Sequence, residues 1–321
     1  MTQTHHPTAV NLRIPGPTPV PQNILEAMAR PMIDHRGPEF AAIITRVTEH
    51  LKYFFQTSSD ILSFPAAGTG GMEATVVNLF SPGDAVAAIT IGSFGNRFAQ
   101  IAETFGANVT RIEFPWGQAA KTEVVLERLA DIANLRGVLV THNETSTGIT
   151  NDLQTLASAI RQQHPDVLIA VDAVSSLSCV DLRMDEWELD VVFTGSQKGW
   201  MIPPGLAMIG VGPRAWHANK QARIPRLYWD FAWAKRSLDK GQTPYTPPVS
   251  LFYGLDAALE MMRAEGREAI FARHKAIGEL TRSRARLLSL ELLAEPAYAS
   301  NTVTAIRAPA GIEVKALRKA L

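Results

Sequence analysis

Two ionisable residues stand at the ends of apolar runs. Asp172 closes VLIAVD at 167–172, and Lys198 follows DVVFTGS at 190–196 in the small-residue turn GSQKG. Buried strands that each end in one ionisable side chain are costly unless those side chains meet a partner. An acid and a lysine delivered to one edge of a parallel sheet suit pyridoxal 5′-phosphate. The lysine forms the Schiff base, and the acid pairs with the pyridinium nitrogen and keeps it protonated. The ring then takes up the electrons left when an amino acid loses its α-proton. Gly195, Ser196, Gln197 and Gly199, with the apolar stretch WMIPPGLAMIGVG beyond, predict an enclosed lysine, and desolvation lowers the pKa of such an amine. Asp172 alone would fit a helix N-cap before Ser175 and Ser176; the matching strand that leads to Lys198 favours the cofactor.

Other segments offer the remaining contacts. The turn Ala66-Ala67-Gly68-Thr69-Gly70-Gly71 opens the helix MEATVVNLF, and a glycine-rich helix N-terminus suits a phosphate. It is neither a G-x-G-x-x-G fingerprint nor a Walker A loop, so an ordinary strand–helix turn or a nucleotide site fits it too. Phe94, in ITIGSFGNRF, lies beyond a strand end, where it could stack on a flat ring or pack in a satellite core. Thr145, in THNETSTG, could bond a ring oxygen or cap its own turn; Asn143 and Glu144 are site-edge candidates. Cys179 reads as a small buried residue rather than a nucleophile. His35 and Arg36 fit a substrate carboxylate or a surface turn equally well. The cluster Tyr228, Trp229, Phe231 and Trp233 reads as packing ahead of an interface or lid.

These residues require a sheet edge to gather them, and the chain alternates accordingly. Strand patterns at 60–66, 84–92, 108–114, 136–144, 167–174 and 190–198 interleave with helical patterns at 22–31, 39–57, 72–80, 96–106 and 152–164. GLAMIGVG at 205–212 reads as an antiparallel addition. This is the mark of an α/β sheet with crossover helices. Prolines in PGPTPVP predict an extended arm over 1–21, and a large domain is expected over 22–255. The stretch 213–250 reads as irregular. A long helical pattern from Ser250 to about Leu293 leads into a small C-terminal domain, 256–321, with a strand at 301–309 and a helix in EVKALRKAL.

At 321 residues the chain exceeds one small core. Hydrophobic residues make up 46%, charged residues 19%, and the formal net charge is zero. That composition argues for a globular, well-buried protein and against a nucleic-acid or polybasic membrane contact. The single cysteine excludes an intramolecular disulfide and fits a reducing compartment. The N-terminal residues lack the apolar core of a signal peptide, and no run nears the ~20 apolar residues of a membrane span, so a soluble cytoplasmic protein is expected.

Seven segments in order, PGPTPVP, AAGTGGMEA, GSFGNRF, THNETSTG, VDAVSSL, GSQKG with PPGLA, and QTPYTPPVSLFYGL, resemble the class V pyridoxal-phosphate aminotransferases, in particular the alanine–glyoxylate and serine–glyoxylate (serine–pyruvate) branch. The resemblance implies a type I aminotransferase fold: a mostly parallel sheet in a large domain, plus a smaller α+β domain that is incomplete in this chain. It also implies a homodimer with active sites at the subunit interface. Lys198 would hold the cofactor as an aldimine and Asp172 would pair with its ring nitrogen. Val174 and Phe94 would cover the two ring faces, and Thr145 would bond the ring oxygen. Ala67, Gly68 and Thr69 would cradle the phosphate with Gln197, and Thr246 would reach the phosphate of the partner subunit. Many relatives carry a hydroxyl residue where Ala67 stands.

The implied reaction is ping-pong transamination from a small L-amino acid, alanine or serine, to glyoxylate or pyruvate. Cysteine desulfurase is a rival within the fold, but it would place His residues where Gln197 and Phe94 stand. A cofactor-binding but inactive subunit is the other rival. Relatives carry a carboxylate-binding Arg in an R-I-G-type segment of the small domain, and none occurs up to Leu321.

Overall fold

The computed structural model describes residue 12 and residues 14–320. Of the expected arm, residues 1–11 and 13 lie outside the described residues, as does Leu321. Helices α1 (Gln22–Met28) and α2 (Pro38–Phe55) lead into strand β1 (Asp60–Phe64). Then follow α3 (Gly68–Leu79), β2 (Ala85–Thr90), α4 (Ser93–Thr104), β3 (Asn108–Glu113), α5 (Thr122–Ala130) and β4 (Leu135–Thr141). A short hairpin, β5 (Asn143–Glu144) and β6 (Ile149–Thr150), precedes α6 (Leu153–Gln163), β7 (Leu168–Asp172) and β8 (Val191–Gly195). The chain continues through β9 (Ala207–Val211), α7 (Pro213–Asn219), α8 (Phe231–Leu238), α9 (Val249–Glu265), α10 (Arg267–Leu287) and α11 (Val314–Ala320).

Seven strands form one sheet in the order β1-β9-β8-β7-β4-β2-β3. All neighbours are parallel except those of β9, which runs against β8 and β1. Strands β7, β8 and β9 are buried along their whole length, as befits a sheet with helices on both faces. One face packs against α2, α6 and α9 through Phe40, Val47, Leu156, Ile160, Phe252 and Leu259. The other packs against α3, α4, α7 and α8 through Val76, Phe98, Ala215 and Phe231. In α2 the buried residues Phe40, Ile43, Ile44, Val47, Leu51, Phe54 and Phe55 recur at helical spacing, Pro38 opens the helix, and Gln56 closes it in the left-handed region. Asp152 caps α6 by accepting the Thr155 N–H at 3.2 Å. Among the described residues, no helix is long and apolar enough to cross a membrane.

Several expectations need correction. The long helix after Ser250 is two helices, broken at Gly266 with φ 82° and ψ 139°, and the second ends at Leu287 rather than near Leu293. Positive φ there suits glycine and interrupts the helical ladder. The expected strand at 301–309 is not a strand, because its only ladder contact among the described residues is an isolated bridge between Leu292 and Ile306. The stretch 213–250 is not wholly irregular, since it carries α7 and α8, each started by a local signal: Pro213 at the first turn, and Asp230 accepting the Trp233 N–H. Helix α5 had no expectation attached to it.

Candidate active site

The carboxyl ends of β4, β7 and β8 meet α3 and α4 at their amino ends, the position where open α/β sheets bind ligands. Parallel pairing sets Asp172 opposite Phe193, so the turn 195–199 extends beyond the sheet at the Asp172 edge. Ser196 fixes that turn, its N–H donating to the Leu206 carbonyl at 2.9 Å and its hydroxyl to the Pro203 carbonyl at 2.7 Å.

Lys198 projects beneath the N-terminal segment. Its Nζ donates to the Pro15 carbonyl, and its own carbonyl accepts the Thr18 hydroxyl at 3.0 Å. Gly16 sits at φ +134°, and a Cβ there would fall 2.7 Å from Lys198 Cδ, so this crossing admits only glycine. Burial pushes the Lys198 ammonium below its usual range, and the nearby Asp172 carboxylate opposes the shift. Asp172 is buried, and burial pushes its carboxyl up to about 7. The Val174 N–H, donating to Oδ1 at 2.9 Å, pulls the other way; Glu144 raises it further, while Lys198 and Arg97 lower it.

A cavity of about 260 Å³ opens at this edge, lined by Asp172, Lys198, Ala67, Gly68, Thr69, Phe94, Thr145, Val174 and Gln197. These nine expected site residues therefore share one cavity. The tenth, Thr246, is exposed on the loop before α9 and does not line it. Helix α3 begins in the cavity wall, and among the described residues no side chain caps it at Ala67. Gly68 lies so close to Val174 that a Cβ would fall 2.5 Å from Cγ2. Gln197 Oε1 is buried and has no hydrogen-bond partner among the described residues. Thr145 donates its hydroxyl to Ser175 Oγ at 2.9 Å, and Asn143 Nδ2 donates to the same oxygen at 2.8 Å.

Sequence reasoning passed over Arg97. Its guanidinium lies 4.9 Å from the centre of the Phe94 ring and donates to Thr69 Oγ1 at 3.3 Å, adding positive charge beside the α3 terminus. The available signal was its place three residues after Phe94 on one helix, which puts both on one face. Arg36 donates to Gln242 Oε1 at 3.1 Å and to the Thr243 and Pro244 carbonyls, so it braces the loop that carries Thr246. Tyr228 stacks on Tyr245 with centroids 4.9 Å apart, and Trp229 Nε1 donates to Glu73 at 3.0 Å, consistent with a packing role. Burial pushes the Cys179 thiol up to about 11, as an inert thiol requires. A second cavity of about 280 Å³ shares Lys198 and Ser175 with the first and runs toward Arg273 and His274 on α10.

Residues 10–321 match the family model described as Aminotransferase class-V. The chain is 44% identical over 310 residues to "Soluble hydrogenase, small subunit" of Synechococcus sp. (strain PCC 6716), covering 96% of this chain and 80% of that protein. It is 40% identical over 304 residues to "L-aspartate--glyoxylate aminotransferase" of Paracoccus denitrificans, covering 94% of this chain and 77% of that one. Among solved structures, an alanine–glyoxylate aminotransferase from Nostoc sp. superposes with a TM-score of 0.92 at 30% identity, covering 98% of this chain and 84% of that one. The chain belongs to the class V aminotransferases, pyridoxal-phosphate enzymes, and has their α/β fold.

Proposed function

We propose that this protein transfers the amino group of a small L-amino acid, alanine or serine, to a small 2-oxo acid, glyoxylate or pyruvate, in a ping-pong cycle. The observation that carries this reading is Asp172 and Lys198 on one cavity at neighbouring strand ends, each with its pKa drawn toward neutrality by burial. Two relatives whose names include glyoxylate support that acceptor.

Three features of the cavity fit pyridoxal 5′-phosphate. Gln197 brings a side-chain amide to the wall, whose N–H groups can donate to a phosphate, Gly68 puts no side chain between the first turn of α3 and the cavity, and α3 offers an uncapped amino end. When bound, the cofactor supplies an electron sink for the amino acid's α-carbon. Lys198 would hold it, and the Lys198 Nζ would be the base that takes the α-proton. Its lowered pKa enlarges the neutral, basic fraction of the amine near pH 7. Asp172 ionises when a ring N–H⁺ faces it, since an opposite charge offsets the cost of burial. Val174 and Phe94 would bound the two faces of the ring, and the Thr145 hydroxyl would be the donor for its ring oxygen. The amides at Ala67, Gly68 and Thr69 and the Gln197 side-chain N–H groups would hold the phosphate. The exposed Thr246 serves the phosphate of a second subunit in a homodimer. A cytoplasmic location and a division into a large domain, 22–255, and a small one, 256–321, belong to the same proposal; the single cysteine suits a reducing compartment.

Visible absorption of the protein loaded with pyridoxal phosphate tests the reading. L-alanine or L-serine is expected to bleach the long-wavelength band, and glyoxylate to restore it. A band that ignores every amino acid offered would overturn the assignment.

A further inference from the structure

Glu144 is fully buried, yet no step of the proposed reaction uses it. Both carboxylate oxygens are committed. Oε2 accepts the N–H of Phe94 at 3.0 Å and the N–H of Gly95 at 3.1 Å. Oε1 accepts the N–H and the hydroxyl of Ser146 at 3.0 and 2.6 Å. Ser146 Oγ in turn accepts the Ser93 N–H at 3.0 Å. The first three amides of α4 are thus held by the segment 144–146 and not by a cap of their own. A carboxylate at a helix amino end is favoured by the aligned peptide dipoles, and its bonds to N–H groups are charge-assisted. The approach is close: a Cβ on Gly92 would fall 2.5 Å from Glu144 Cγ.

This clamp joins two parts of the cofactor cavity. Phe94, one of the clamped amides, lines it from α4, and Thr145, enclosed between Glu144 and Ser146, lines it from the β5–β6 turn. Resting on the pyridoxal-phosphate reading, we propose that Glu144 is a positioning residue for the cofactor ring. By fixing the α4 terminus to the 144–146 turn, it sets the distance between the aromatic face of Phe94 and the hydroxyl of Thr145, and so the tilt of the ring between them. A cap that merely stabilised α4 would raise the stability of the fold and leave the ring's affinity and orientation alone.

The test uses full-length protein stripped of cofactor and titrated with pyridoxal phosphate, followed by visible absorbance and by circular dichroism in the cofactor band. Wild type must bind; if it does not, the functional reading fails and Glu144 is irrelevant to that outcome. Given wild-type binding, Glu144→Ala is expected to weaken affinity by about tenfold, the order of one charge-assisted hydrogen bond, and to change the sign or size of the visible dichroism. Phe94→Leu is expected to weaken binding similarly, and the double variant to be no weaker than Phe94→Leu alone. Additive losses, or unchanged affinity and dichroism in Glu144→Ala, would overturn the positioning role while leaving the functional reading intact. If Glu144→Ala does not fold, Glu144→Gln carries the same readouts. It keeps an acceptor for the Phe94 and Gly95 amides but sets an NH₂ against the Ser146 N–H. Affinity near wild type with an altered dichroism supports the proposal, and an unaltered dichroism overturns it.

Discussion

Strands β7 and β8 carry buried charge at both ends, and the two ends are built in opposite ways. At the amino end, Asp190 is buried and accepts from Arg161 Nη2 at 2.9 Å, Arg214 Nε at 2.6 Å and the Ile169 N–H at 2.7 Å. Arg161 is itself buried and donates further to the Pro165, Val167 and Glu188 carbonyls. At the carboxyl end, among the described residues, Asp172 receives a single N–H, that of Val174, and Lys198 Nζ finds only the Pro15 carbonyl. The sheet is the same, and so is the chemistry of acid and base. A charge surrounded by partners holds two elements together; a charge left nearly bare on a cavity wall is poised for a ligand that supplies the missing partner.

Substitutions at the two ends should therefore fail differently. Lys198→Ala is expected to lower turnover by at least ~10²–10⁴-fold, the range for losing a positioned acid–base group, with no loss of thermal stability in the cofactor-free protein. Steady-state kinetics and a melting curve check both halves. Asp190→Ala leaves the Arg161 guanidinium buried without its anion and is expected to cost about 3–5 kcal/mol in denaturant unfolding. Cofactor affinity of the folded fraction should be unchanged.

Asp172→Asn sharpens the contrast through pH. The Asp172 carboxyl in the cofactor-free fold titrates near 7, above its ordinary value of 3.8. Between those values the folded protein holds a proton that the unfolded chain has lost, so this group's contribution to stability declines as pH rises toward 7 and then levels off. Removing the charge should leave stability unchanged near pH 4. Above pH 7 it should raise stability by up to a few kcal/mol, at about 1.4 kcal/mol for each pH unit that separates the folded and unfolded titrations. Cofactor binding should weaken in the same variant. Chemical denaturation at several pH values reads the first effect, and absorbance titration the second. The smallest change concerns Ala67→Ser, which adds a hydroxyl at the start of α3. A gain of about 0.5–1.5 kcal/mol in cofactor affinity is expected, with the fold untouched.

Much of this site is legible in the sequence because each main contributor ends a strand or opens a helix. Apolar runs that stop at Asp172 and before Lys198 mark strand ends without reference to any partner, and the glycines at 68–71 mark the turn into α3. Contacts between distant segments are harder to read. Glu144 is placed at the site edge by its segment, but no local pattern announces its hold on a helix fifty residues earlier in the chain. Periodicity also carries the helix across Gly266, where the backbone turns to positive φ, because two amphipathic helices in succession share one spacing. The alternation in NTVTAIRAP is strand-like, but a strand forms only where another edge accepts its backbone groups, and among the described residues a single bridge at Ile306 does so.

The most direct test is to add pyridoxal phosphate to the protein, reduce with borohydride and map the modified peptide by mass spectrometry. One stoichiometric cofactor adduct is expected on Lys198, lost in Lys198→Ala and diminished in Asp172→Asn. An adduct spread over surface lysines, or none at all in a folded protein, would contradict the role given to Lys198.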